Sequence, residues 1–114
     1  MIAVIFEVCP HPHAKDDHLA IAASIAPLLS TMDGFISIER FQSLSEPGKI
    51  LSLSFWRDEG AVKQWRNTEE HRTAQAQGRA GIFADYRLRI AAVVRDYGLT
   101  AREQAPADSR TVYG

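Results

Sequence analysis

The sequence predicts an α+β fold of four strands and two helices in the order β-α-β-β-α-β. Three observations carry that expectation. Runs rich in β-branched and aromatic residues occur at "IAVIFEV", "FISIERFQS", "KILSLSFW" and "DYRLRIAAVVRDY". Between the first and second runs, and again between the third and fourth, apolar residues recur at helical rather than alternating steps. Only the turn residues "LSEPG" separate the second run from the third, so those two are expected to pair as an antiparallel hairpin.

The elements follow in order. Ile2 to Val8 reads as a strand closed by Cys9-Pro10, and "CPHPHAKD" as a loop, because its prolines cannot donate backbone hydrogen bonds. A helix is predicted from Asp17 to Met32, with Ala22, Ile25, Leu29 and Met32 on one side. Asp16 or Asp17 would cap its start, Asp33-Gly34 would end it, and Pro27 should bend it by removing the bond to Ala23. Strands are expected at Phe35 to Ser43 and Lys49 to Trp56. Asp58 then caps a helix carrying Ala61, Val62 and Trp65, and Asn67 with Glu70 has the spacing of a capping box that restarts the helix as far as Gln77. Gly78 and Gly81 break it before a long strand from Asp85 to Tyr97. The remainder, "GLTAREQAPADSRTVYG", is polar and has no period.

This order is the split βαβ, or ferredoxin-like, arrangement, with both helices on one face of an antiparallel sheet. Residues 1–98 form that domain; 99–114 form a tail that is disordered or packed on a partner. Alternation assigns Val4, Phe6, Ile36, Ile38, Leu51, Leu53, Phe55, Leu88 and Ile90 to the helix side. Ile5, Glu7, Ser37, Glu39, Phe41, Ser52, Ser54, Trp56, Arg87, Arg89 and Ala91 fall on the bare side. The bare side mixes aromatics with both signs of charge, Glu7 and Glu39 facing Arg87 and Arg89. A second copy would cover Trp56 and Phe41, so a sheet-to-sheet homodimer is expected.

At 114 residues, with 46% hydrophobic and 24% charged side chains, the chain fits one ordinary globular domain. A net charge of −1 argues against a general nucleic-acid binder. No apolar run is long enough to cross a bilayer, and the start does not read as a signal peptide, so neither nucleic acid nor membrane is an expected partner. The single cysteine, Cys9, has no partner within the chain, which fits the cytoplasm.

With "DGFISIERFQS", "LSLSFWRDEGAVKQWRNTEEHRTAQ" and "FADYRLRIAAVVRDYG" in place, the chain resembles the antibiotic biosynthesis monooxygenase domain family over about Ile2 to Tyr97. The resemblance implies a dimeric α/β barrel with a pocket between sheet and helices in each subunit. It does not imply one reaction. Some members resemble cofactor-independent oxygenases of phenols, others oxidise quinols, others bind or open haem, and others have no known activity. The haem-degrading pattern has an asparagine on the first strand and a histidine ten residues after the helical tryptophan. Here Phe6 and Glu7 stand at the first place and Gln75 at the second, with His71 one turn early. Haem therefore stays an alternative, and no cofactor is the leading expectation.

The leading reading is a small monooxygenase that uses dioxygen on an aromatic, phenol- or quinol-like substrate. His71 would handle the proton, because imidazole titrates near neutral pH; otherwise it is a helix-surface histidine beside Glu70. Trp65 would wall a flat ligand, or else serve only as a core anchor. Phe6, Leu53, Phe55, Leu88 and Gln75 would line the pocket, and Trp56 would pack the interface. Cys9, His11 and His13, with His18 nearby, are competent zinc ligands, yet they lack the second ligand pair of a zinc signature, so no metal site is expected. Arg87 and Arg89 could grip an anionic substrate, or else pair with Glu7 and Glu39. A non-enzymatic dimer that binds a small hydrophobic molecule is the remaining alternative.

Overall fold

The computed structural model describes residues 1–114. Strand β1 (Ile2–Pro10) leads through a short 3-10 turn into helix α1 (Lys15–Leu29). Strands β2 (Phe35–Gln42) and β3 (Ile50–Trp56) follow, then helices α2 (Glu59–Arg66) and α3 (Glu69–Gln77), strand β4 (Phe83–Ala92) and a short helix α4 (Ala107–Tyr113). All neighbouring strands are antiparallel, in the order β2-β3-β1-β4. This is the ferredoxin-like α+β fold, and the β2–β3 hairpin is present as expected.

Local chemistry explains the helix boundaries, with two corrections. Asp58 caps α2, its Oδ1 accepting from the Ala61 N–H at 2.8 Å. The α3 cap is Thr68, one residue later than expected, its hydroxyl accepting from the His71 N–H at 3.2 Å. Helix α1 starts earlier than expected and ends at Leu29 rather than Met32. Ala14 holds the cap position, and Asp16 and Asp17 sit in the first turn, where negative charge faces the positive end of the helix dipole. After α1, Gly34 takes φ +82°, and a Cβ there would lie 2.6 Å from that of Ala61, so only glycine fits this approach of loop to helix.

The sheet register determines which side chains face the helices. Ile2 pairs with Trp56, Val4 with Ser54 and Phe6 with Ser52, while Ile38 and Arg40 of β2 pair with Ser54 and Ser52. On the other side of β1, Val4 pairs with Ile90 and Phe6 with Leu88. The helix side therefore carries the rows Ile38–Ser54–Val4–Ile90 and Arg40–Ser52–Phe6–Leu88. The faces of β1 and β4 agree with the sequence reading. Those of β3 are reversed: Ser52, Ser54 and Trp56 lie on the helix side, and Leu51, Leu53 and Phe55 on the uncovered side. The expectation that Trp56 packs an interface is thereby corrected, since it is 1% exposed.

The cause is the tryptophan. The Trp56 indole is the largest fully buried side chain and packs with Leu29, Ala61, Val62 and Trp65 in the core. Its Nε1–H donates to the Ser54 hydroxyl at 2.9 Å, which satisfies its one polar atom inside the fold. Burying that ring outweighs the leucine pattern, and the serines follow it by alternation. A register shift between Phe35 and Ser37 drops Ile36 from the ladder; it is 52% exposed rather than under the helices.

On the uncovered face, Glu7 bridges Lys49 at 3.4 Å and Arg89 at 3.6 Å. Beyond β4, the stretch read from sequence as a tail, disordered or on a partner, takes a defined course. The Arg102 guanidinium bonds the carbonyls of Gly98 and Gly114 and the Ser109 hydroxyl, and it lies 5.4 Å from the Tyr97 ring centre. No helix is long and apolar enough to cross a membrane.

Candidate functional site

Between the sheet and the helices lies a cavity of about 340 Å³, large enough for one small ligand. Its floor is the two cross-strand rows above. Its roof comes from His18, Ala22 and Ile25 of α1, Val62 and Trp65 of α2, and His71 and Gln75 of α3. At one end Trp65 meets His71, ring centres 5.2 Å apart, and Trp56 lies behind it at 6.4 Å. At another, Phe6, Phe83 and Tyr86 form a triangle of rings, each pair 5.8 Å apart, with His18 5.5 Å from Phe83. Gly78 makes this corner possible, because a Cβ there would overlap the Phe83 ring.

The polar groups are few. His18 is 7% exposed; its Nε2 and the Nδ1 of His71 are both buried without a hydrogen-bond partner. Burial holds His71 below its ordinary pKa, the Arg66 carbonyl acts the other way, and the charges of Arg66 and Arg72 depress it further. Burial also lowers His18, with the nearby Arg40 charge adding to it. Both shifts favour the neutral ring near pH 7, in which one nitrogen can accept a hydrogen bond. Arg40 is half-buried, burial pulls its pKa down, and it takes part in none of the salt bridges.

Of the residues expected at the site, His71, Trp65, Phe6, Leu88 and Gln75 line the cavity. Leu53 and Phe55 do not: the reversed β3 facing puts them on the uncovered side, paired with Ile5 and Ala3. Gln75 occupies the place where the haem pattern has histidine, and the cavity's imidazoles come from His18 and His71 instead. Of the loop histidines, His11 and His13 stack on each other at 5.6 Å.

Sequence reasoning missed His18, Arg40, Ser52 and Tyr86. Two of these had a signal. His18 extends the Ala22, Ile25, Leu29 series back by one step of four. Arg40 follows Ile38 in the same alternation, a charge on the side otherwise given to the core.

Comparison with known proteins gives a consistent picture. Residues 1–77 match the family model described as antibiotic biosynthesis monooxygenase. The chain is 53% identical over 93 residues to the jasmonate monooxygenase ABM of Pyricularia oryzae, covering 82% of this chain and 43% of that protein. It is 28% identical over 74 residues to the uncharacterized protein YqjZ of Bacillus subtilis, covering 65% of this chain and 63% of that one. The chain thus spans less than two thirds of the length of either relative. Among solved structures, Rv0793 from Mycobacterium tuberculosis superposes with a TM-score of 0.77 at 18% identity, over 85% of this chain and 98% of that one. A proposed antibiotic biosynthesis monooxygenase from Deinococcus radiodurans gives 0.78 at 15% identity, over 86% and 97%. At such identities the superpositions speak for the fold alone.

Proposed function

The chain belongs to the antibiotic biosynthesis monooxygenase family, and from that premise we propose that it adds one atom of dioxygen to a small phenol- or quinol-like molecule held between sheet and helices. The observation that carries this reading is the apolar cavity with the imidazole of His71, its buried Nδ1 without a partner, set against Trp65. A buried nitrogen without a partner is one that a ligand's hydroxyl can satisfy. His71 accepts the hydroxyl proton, and the resulting anion gives electrons to dioxygen as a carbon–oxygen bond forms. The protonated ring returns the proton to the peroxide. Loss of water, made from the distal oxygen and the hydrogens of the attacked C–H and of the original hydroxyl, leaves a quinone. The substrate supplies every electron, so the balance needs no other reductant. Trp65, Phe6 and Leu88 supply flat apolar walls that hold the ring and keep water from the anion.

The test is oxygen uptake with a panel of phenols and hydroquinones, to which the name of the Pyricularia oryzae relative adds jasmonate. Uptake above the blank with at least one compound is expected, lowered roughly 10²-fold by His71→Ala, the usual scale for one proton-transfer group. Equal rates in wild type and variant would remove His71 from the reaction.

The proposed working form is a homodimer joined through the uncovered sheet face. That face presents Ile5, Leu51, Leu53, Phe55 and Phe41, an apolar surface a lone protomer leaves to water. The reversal of β3 strengthens the case, because it moves two leucines and a phenylalanine onto this side.

A further inference from the structure

We propose that Arg40 is an anchor for a carboxylate, so that the molecule this cavity takes is an apolar acid rather than a neutral compound. The inference deepens the oxygenase reading and rests on the same cavity. Its first support is charge. Arg40, Arg66 and Arg79 line the cavity with His18 and His71, while no aspartate or glutamate lines it, in a chain whose net charge is −1. Surplus positive charge has been gathered on one concave, largely apolar surface.

The second support is the missing partner. Arg79 has the Tyr86 hydroxyl at 2.7 Å, and Arg66 is exposed to solvent. Arg40 has neither advantage: it is half-buried and makes no ion pair. A guanidinium drawn out of water without a counter-charge is costly, and a ligand carboxylate, which it can hold with two parallel hydrogen bonds, removes that cost. The third is position. Register sets Arg40 directly across from Ser52, and the row continues through Phe6 to Leu88. Along this row, Arg40 and Ser52 give way to Phe6 and Leu88, the polarity of an amphiphilic acid lying along it. His18, buried and with Nε2 unpartnered, lines the same cavity on the Phe83 side.

Trp56 and Trp65 line the cavity, so their fluorescence reports occupancy without turnover. Decanoate and methyl decanoate serve as probes that differ only in charge. At neutral pH the wild-type protein is expected to bind the acid at least about tenfold more tightly than the ester. Arg40→Gln is expected to abolish that preference while the ester binds as before. If Arg40→Gln does not fold, the wild-type salt dependence decides, since added salt should weaken the acid and spare the ester. Equal affinity of acid and ester in the wild type, a preference that survives in Arg40→Gln, or salt effects alike for both probes would overturn the proposal. Acid-selective binding with no oxygen uptake from any substrate would remove the oxygenase reading and keep this one. Oxygen uptake with hydroquinones, together with equal binding of acid and ester, would do the reverse.

Discussion

Trp65 and His71 meet edge to face, their ring centres 5.2 Å apart and their planes at 61°. The contact spans the junction where α2 ends and Thr68 caps α3, so the two rings are brought together by the helix restart itself. The indole is part of what keeps water from the imidazole, and that desolvation is the leading cause of the depressed His71 pKa.

Shrinking Trp65 should therefore move His71. In Trp65→Phe the His71 titration midpoint, followed by NMR of its ring protons, is expected to rise toward the ordinary 6.5. Trp65→Ala should do the same and cost about 3–5 kcal/mol of stability by opening the core. An unchanged midpoint in Trp65→Phe would show that the indole does not set the His71 environment.

Stability should fall with acid. His18 and His71 are both held below their ordinary value of 6.5 in the folded chain. Below about pH 6.5 the unfolded chain takes up protons that the folded chain still refuses, so unfolding is favoured as pH drops until the folded rings also protonate. Above 6.5 both forms are neutral and the two rings contribute nothing to the pH dependence. Urea midpoints at about pH 7.5 and about pH 5 should show this loss, reduced in His18→Gln and His71→Gln.

The facing of β3 makes a contrast in stability. Trp56→Ala is expected to cost about 3–5 kcal/mol because it empties the core beside Leu29 and Val62. Ser54→Ala strands the Trp56 Nε1–H and should cost about 1 kcal/mol. Leu53→Ala, on the uncovered face, should have an effect that grows with protein concentration, since the proposed dimer would complete its burial. Denaturation midpoints at two concentrations separate these cases.

The fold was legible in this sequence for identifiable reasons. The β-branched and aromatic run of β1, the alternation of β4 as far as Ala92, and the Asp58 cap ahead of Ala61, Val62 and Trp65 are local signals that local physics obeys, although the β4 expectation ran on to Tyr97. Facing in β3 was not legible, because Leu51, Leu53 and Phe55 look more like a core than Ser52, Ser54 and Trp56 do. One indole reversed the pattern through contacts with α1 and α2 that only the folded chain brings together. The tail shows a parallel limit, since the seven residues of α4 are too few for a helical period to stand out. Of the site, His71, Trp65, Phe6, Leu88 and Gln75 could be placed from spacing and resemblance. Arg40 was hidden among alternating charges, and its meaning appears only with the absence of a carboxylate around it.

The uncovered face should control assembly. Leu53→Asp or Phe55→Asp is expected to shift a sedimenting dimer to monomer while leaving the decanoate-dependent tryptophan fluorescence in place, because neither residue lines the cavity. A wild-type protein that sediments as a monomer at every concentration would end the dimer reading.

The most direct measurement of the central claim supplies isotopically labelled dioxygen with a phenolic acid or hydroquinone and follows the label by mass spectrometry. One labelled oxygen atom in the product and the other in water, in a reaction slowed by His71→Ala, is the result expected of a monooxygenase in this cavity. Label absent from the product, or product oxygen drawn from solvent water while the substrate is oxidised, would contradict it.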